Sequence, residues 1–200
     1  MPDDPSPAST PLPRRWGCRS WHYERVTDSV HPDPIAEAAR QWTEHGWADA
    51  VDGMSAVTAI MRTQQILLAR IERTLRPFGL TFARYELLTL LSFTRTGALP
   101  MAKASARLQV HPTSVTNAVD RLEGAGFVRR LPHPTDGRAT LVEITDTGRR
   151  IAGAATAALN STVFEKPGFD QPDLGIMIEM LGRFRYNAGD FGQPEAEQFD

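Results

Sequence analysis

The sequence contains a single cysteine, Cys18, among its 200 residues, so no disulfide can form within the chain. It also contains no apolar run near the roughly 18 residues that a membrane-spanning helix requires. Arg14 and Arg15 are followed by further charged residues rather than by an apolar core, which argues against a signal peptide. These absences predict a cytoplasmic chain without membrane segments, because the reducing cytoplasm suits a protein that needs no disulfide.

The sequence also lacks the patterns that mark common enzyme sites. It has no Gly-rich phosphate loop and no nucleophile elbow. Its five histidines show no paired ligand spacing, and there is no second cysteine to complete a zinc site. We therefore expect a protein that is not an enzyme and that uses neither a metal nor another cofactor.

The order of proline-rich, helical and polar segments divides the chain into four parts. Hydrophobic residues make up 41% and charged residues 23%, which is ordinary for a globular protein. Residues 1–32 are predicted to be a disordered or irregular extension, because prolines and small polar residues dominate their first half. Residues 33–52 are expected to form a helix and a linker, 53–186 the main domain, and 187–200 a flexible tail.

The main domain is predicted to begin and end with long helices. Apolar residues recur at three- and four-residue steps over 53–76 and occupy more than one side of that helix. Such a helix usually packs against a partner as well as against its own domain. Thr81 is placed to cap the next helix, and another helix is expected over 172–186.

Between these helices lies a pattern typical of a winged helix-turn-helix. Pro100 begins a short helix, residues 109–111 break it, and Pro112 occupies the first turn of a second helix. Two strands over 127–133 and 139–144 then flank a Pro-Thr-Asp-Gly turn. The predicted fold class is mainly α with a small β wing, a winged helix-turn-helix between N- and C-terminal helices.

The second helix of this motif, residues 113–123, carries the chemistry expected of a DNA reader, and we call it the reader helix. Its apolar side is formed by Val115, Ala118, Val119 and Leu122. Its polar side and approach carry hydroxyl, amide and basic groups, namely His111, Thr113, Ser114, Thr116, Asn117 and Arg121. Amides and hydroxyls read base edges in a major groove, and Asn117 can pair bidentately with adenine. Taken alone, the same side is equally consistent with an ordinary solvated helix surface.

The wing strengthens the DNA-binding interpretation. Arg138 lies next to the wing tip, where a guanidinium suits the narrow, electronegative minor groove, and Asp136 is placed to brace it or the turn. Residues 103–150 contain eight basic and five acidic residues, an excess of three positive charges in a chain whose net charge is −2. The positive charge is therefore concentrated where phosphate contacts would form.

In order, these segments resemble the MarR (multiple antibiotic resistance regulator) family. The resemblance rests on VTNAVDRLE at 115–123, GFVRR at 126–130, DGR at 136–138 and LVEIT at 141–145, and it extends over roughly 53–186. It implies a homodimeric regulator, joined by N- and C-terminal dimerisation helices, that binds double-stranded DNA at a pseudo-palindromic operator. Many members of the family repress transcription and release DNA when they bind a small molecule.

The helix before the main domain resembles the branch of the family that senses urate and related anions. That resemblance implies an effector site with Trp42 on the added helix, Glu86 on the helix before the reader motif, and Arg129 or Arg130 near the first wing strand. Asn117 stands near the position of that branch's reader-helix arginine, which removes the main charge partner of urate. A different anionic or aromatic ligand is therefore implied, unless Trp42 merely attaches the added helix to the dimer.

The sequence leaves two alternatives to a ligand-responsive DNA-binding regulator. Cys18 lies near Arg15 and Arg19, which can lower a thiol pKa, so a redox-sensing regulator is one alternative. A winged helix that contacts protein or RNA without operator specificity is the other. Strong salt dependence without any sequence preference would favour this second alternative.

The wing assignment makes a first testable prediction. Arg138→Ala should weaken binding to every duplex alike, because a wing-tip guanidinium contributes charge more than sequence readout. The slope of log affinity against log salt should fall by about one unit. Affinities for a selected and an unrelated duplex, each measured across a salt series, check this; an unchanged slope would remove Arg138 from the interface.

Overall fold

The computed structural model describes residues 32–136 and 139–192, and in this range the chain is mostly helical with one small sheet. Cys18, the N-terminal extension, Gly137, Arg138 and the last eight residues lie outside the described residues. Seven α-helices and three strands are described: α1 (Pro34–Glu44), α2 (Val51–Leu75), α3 (Phe82–Phe93), β1 (Ala98–Pro100), α4 (Met101–Leu108), α5 (Pro112–Gly124), β2 (Val128–Pro132), β3 (Thr140–Ile144), α6 (Asp146–Leu159) and α7 (Gln171–Asn187). The predicted fold class is confirmed.

The chain forms two compact units that divide after Ser55, within α2. In the first unit, Asp33 caps α1 by accepting a hydrogen bond from the Ile35 N–H at 3.0 Å, and Pro34 occupies the first turn. The Trp42 and Trp47 rings meet edge to face, with their centroids 5.4 Å apart. No residue of α1 is buried within this chain.

In the second unit, α3 is the central element of the core. Leu87, Leu88 and Leu91 have no solvent-exposed area, and α3 contacts α4, α5, α6 and β3. Thr81 caps α3 as predicted, its hydroxyl accepting a hydrogen bond from the Arg84 N–H. Across the core, the Tyr85 hydroxyl lies 3.0 Å from that of Thr156, which ties α3 to α6. The helix that precedes the reader motif is thus packed on several sides, while Glu86 and Phe93 remain exposed.

The wing differs from the expectation of two strands, because β1 adds a third in the order β1-β3-β2. All neighbouring strands are antiparallel, and Leu99 of β1 lies opposite Val142 of β3. Both side chains are buried, so β1 covers an edge of β3 that would otherwise lie open. Three residues that end in a proline give too short a pattern for sequence periodicity to detect.

The first turn of α6 locks this helix against the base of the wing. Thr145 caps α6 by accepting a hydrogen bond from the Gly148 N–H at 3.0 Å, while its hydroxyl lies 2.8 Å from the Gly126 carbonyl oxygen. A Cβ on Gly148 would lie 2.1 Å from the Phe127 carbonyl oxygen. Glycine is therefore required at 148 because of a close backbone approach, whereas Gly153 in the same helix has open space around it.

The helix α6 ends its α-helical part at Leu159 and continues as a π-helical turn, Asn160–Phe164. Arg70 of α2 stabilises the segment around the end of this turn. Its guanidinium donates to the carbonyl oxygens of Lys166 and Pro167, both at 2.8 Å, and of Thr162 at 3.2 Å. Arg70 thereby satisfies carbonyls that a helix end leaves without partners.

The close approach at Gly148 predicts opposite effects of two matched substitutions in α6. Gly148→Ala should lower the free energy of unfolding by about 3 kcal/mol, the upper end of overpacking effects, because backbone rather than a flexible side chain must move. Gly153→Ala should raise it by roughly 0.5–1 kcal/mol, because alanine costs less conformational entropy in a helix. Urea unfolding of both variants and the wild type measures this, and equal effects would contradict the packing described here.

Candidate nucleic-acid interface

The reader helix lies within α5 and separates its two sides as the sequence predicts. Val115, Val119 and Leu122 are at most 2% exposed, whereas Ala118 is only partly buried. These apolar side chains contact the core around α3 and fix the helix in rotation. The opposite side is therefore held towards solvent by burial of roughly 2 kcal/mol or more for each large apolar side chain.

The structure brings three predicted reader residues together on that solvent side. Ser114, Asn117 and Arg121 are exposed and line one groove. The Arg121 guanidinium has no hydrogen-bond or ion-pair partner among the described residues. Thr113 and Thr116 flank this side and are also exposed, but the Thr116 hydroxyl donates to the Pro112 carbonyl at 3.1 Å. Amide, hydroxyl and guanidinium groups are therefore available for contact at one surface.

His111 caps α5. Its Nδ1 accepts a hydrogen bond from the Thr113 N–H at 3.3 Å and lies 3.1 Å from the Thr113 hydroxyl oxygen. A neutral ring whose Nδ1 accepts must carry its proton on Nε2. The exposed His111 ring thus has an N–H donor directed away from the helix, which suits contact with phosphate.

The wing strands carry two arginines that are already paired. Arg129 of β2 forms an ion pair with Glu143 of β3, and this hydrogen bond raises the pKa of the guanidinium. Burial lowers the pKa of Arg130, but hydrogen bonds to Asp120 and Glu123 outweigh it, so the net shift is upward. Glu123 also accepts from the Arg130 backbone N–H at 3.0 Å. These ion pairs join the reader helix to the wing.

At the tip of the wing, the backbone of Asp136 closes the turn. Its carbonyl oxygen accepts from the Ala139 N–H at 3.0 Å, and its own N–H lies 3.2 Å from Nδ1 of His133. Asp136 is exposed, while its predicted companion Arg138 lies outside the described residues. The structure therefore describes both wing strands up to the turn, as far as Asp136 on one side and from Ala139 on the other.

The residues of the predicted effector set lie on four different elements. Trp42 belongs to α1 and packs on Trp47. Glu86 of α3 is exposed, and desolvation by its neighbours raises the pKa of its carboxyl group. Arg129 and Arg130 hold carboxylates of this chain, as described above. An anionic ligand would have to replace those partners to use either guanidinium.

Sequence reasoning missed one basic residue of the groove that holds Ser114, Asn117 and Arg121. Arg84, in the first turn of α3, lines its other side together with Thr81 and Ala83. A single arginine in an otherwise ordinary helix gives no pattern that would single it out. Only the packing of α3 beside α5 brings it to the reader surface.

No helix in the described ranges is both long enough and apolar enough to cross a membrane.

Three comparisons place the chain among known proteins. The sequence profile of the MarR family matches residues 80–140, which span α3 to the tip of the wing. The structure is similar to that of Sco5413, a MarR family transcriptional regulator from Streptomyces coelicolor, with 49% sequence identity and a TM-score of 0.65. That similarity covers 72% of this chain and 99% of Sco5413.

Two further transcriptional regulators are similar to this chain. An uncharacterised helix-turn-helix regulator of Mycobacterium bovis, Mb0904, is 32% identical over 108 residues, which cover 54% of this chain and 71% of Mb0904. Sco3205, a MarR family regulator from Streptomyces coelicolor solved in complex with DNA, shares the fold at 22% identity and a TM-score of 0.59. The latter similarity covers 71% of this chain and 91% of Sco3205.

These similarities confirm the expectation that the protein is not an enzyme, since the proteins it resembles are transcriptional regulators. With a profile match across the helix-turn-helix and wing, and with 49% identity over nearly the whole of Sco5413, the chain belongs to the MarR family of transcriptional regulators.

Proposed function

We propose that the protein is a sequence-specific DNA-binding regulator that acts as a homodimer on an inverted-repeat operator in the cytoplasm. The observation that carries the proposal is the exposed side of α5, where Ser114, Asn117 and Arg121 lie together above a buried apolar side. Such a helix is suited to enter a major groove with base-reading groups in the centre and a basic group for phosphate. The DNA complex of Sco3205 shows that a protein of this fold binds DNA.

Exposed apolar side chains on α2 and α7 support the dimer. Ile60 and Met61 of α2 are more than half exposed, as are Ile178 and Phe184 of α7. A groove of about 450 Å³ between these helices is lined mainly by apolar side chains, including Leu67, Ile71, Met177 and Leu181. Patches of this kind are rarely left in water, and a second copy of the same surface would cover them.

The proposal includes repression that a small anionic or aromatic molecule relieves, a behaviour common in the family. Glu86 and Asn117, which both lie in the second unit, are the proposed ligand contacts. Arg129 and Arg130 fit this role less well than the sequence implied, because each already holds a carboxylate and the exchange would gain little. The raised pKa of Glu86 favours its protonated form beside an anionic ligand.

The proposal is tested by selecting bound duplexes from a random DNA pool while measuring the mass of the protein. We expect an enriched inverted repeat with half-sites about one helical turn apart, bound by a dimer. Binding without an enriched motif would instead favour the alternative without operator specificity. A screen of small anions and aromatic acids for release of the selected duplex then tests the effector.

Asn117 should determine sequence preference. Asn117→Ala should weaken binding to the selected duplex by about 1–3 kcal/mol and leave binding to an unrelated duplex nearly unchanged, because a bidentate amide contact reads one base. Asn187→Ala, an exposed asparagine at the end of α7, is the matched control. If Asn117→Ala binds both duplexes as the wild type does, α5 is not the reader.

The apolar side of α2 and α7 should determine the oligomeric state. The double substitution Ile60→Glu and Met180→Glu places charges on the groove between the helices and should convert the dimer to a monomer, because buried carboxylates would face apolar surface. Phe93→Glu on α3, which replaces an apolar residue that is even more exposed, should leave the dimer intact. Light scattering after gel filtration measures both masses, and a double variant that remains dimeric would contradict this surface.

A further inference from the structure

The groove beside the reader helix has a second basic wall that the helix-turn-helix does not provide. It encloses about 490 Å³, with Ser114, Asn117, Ala118 and Arg121 of α5 on one side and Thr81, Ala83 and Arg84 on the other. Two guanidinium groups line it and no carboxylate does. The groove at the base of the wing also has two arginines, Arg129 and Arg149, but Glu143 and Asp146 line it as well.

Arg84 is held in position for contact with an anion. Its Nε donates to the Thr81 hydroxyl at 3.1 Å, which fixes the side chain beside the helix cap. The two Nη atoms have no partner among the described residues. The N–H of Ala83, in the same first turn, is likewise without a hydrogen-bond partner in the part of the chain that the structure describes. The N-terminal end of α3 therefore adds donors and the positive end of a helix dipole to the two guanidinium groups.

We propose that Arg84 and Arg121 together hold a phosphate of the DNA backbone, which makes the first turn of α3 part of the DNA interface. This inference rests on the proposed DNA-binding function. When α5 lies in a major groove, a phosphate strand passes beside it, and α3 flanks α5 on the side where Arg84 lies. A groove open along α5 suits a passing strand, and the bases next to that phosphate lie within reach of Asn117.

The test is the salt dependence of DNA binding by the full chain. Arg84→Ala should weaken binding to the selected and to an unrelated duplex by the same factor, about fivefold at 0.15 M salt, and lower the salt slope by about one. Arg84→Lys should keep most of the slope, because the charge remains. Arg95→Ala, in the turn that follows α3, is the control and should not change the slope. Thermal unfolding verifies that each variant is folded.

A double variant tests whether the two arginines share one phosphate. If they do, Arg84→Ala combined with Arg121→Ala should lose less affinity than the product of the two single losses, because both contacts end on one group. Multiplicative losses would mean separate phosphates and would overturn the shared site.

Two other outcomes overturn the proposal in distinguishable ways. A wild-type salt slope in Arg84→Ala, with binding to the selected duplex intact, excludes Arg84 from the interface while the proposed function stands. If inorganic phosphate shifts amide resonances of residues 81–84 in the wild type but not in Arg84→Ala, and the DNA slope is unchanged, the groove holds a small free anion instead. Failure of the wild type to bind any duplex would refute the proposed function itself.

Discussion

The burial of α3 is the constraint on which the rest of the structure depends. Leu87, Leu88 and Leu91 are wholly buried, and they face the reader motif, α6 and the wing at the same time. A helix packed on several sides cannot rotate without opening cavities, each of which costs several kcal/mol. The rotation of α5, the position of Arg84 and the attachment of the wing all follow from this one helix.

Hydrogen bonds and ion pairs of arginine side chains add to the positioning that the apolar core provides. Arg130 joins the end of α5 to β2 through Glu123 and Asp120, and Arg70 holds the segment that follows α6. Because these arginines bind groups of the protein itself, fewer cationic side chains remain to bind a ligand. The positive excess counted from the sequence over 103–150 therefore overstates the charge available to DNA. Arg121 and Arg84 gain importance because neither forms an ion pair among the described residues.

Much of the fold could be predicted from local signals with a physical cause. Thr81 and Pro112 mark helix starts because capping and a fixed φ act within a few residues, and the structure has both in those roles. The strand β1 and the position of Arg84 could not be predicted, because both depend on packing between segments distant in sequence. The left-handed backbone of Gln109, with φ of 52°, could not be predicted either, because nothing local in the sequence requires it at the turn between α4 and α5.

The close approach of Gly148 to the Phe127 carbonyl has a consequence for how the wing meets its target. Backbone touches backbone where β2 begins and α6 starts, and the Thr145 hydroxyl bridges the same place. The base of the wing and the first turn of α6 are therefore held together by backbone packing as well as by hydrogen bonds. In the proposed function, these contacts fix the direction in which the wing leaves the domain, so a change at this joint would redirect the wing without touching any DNA-contacting residue.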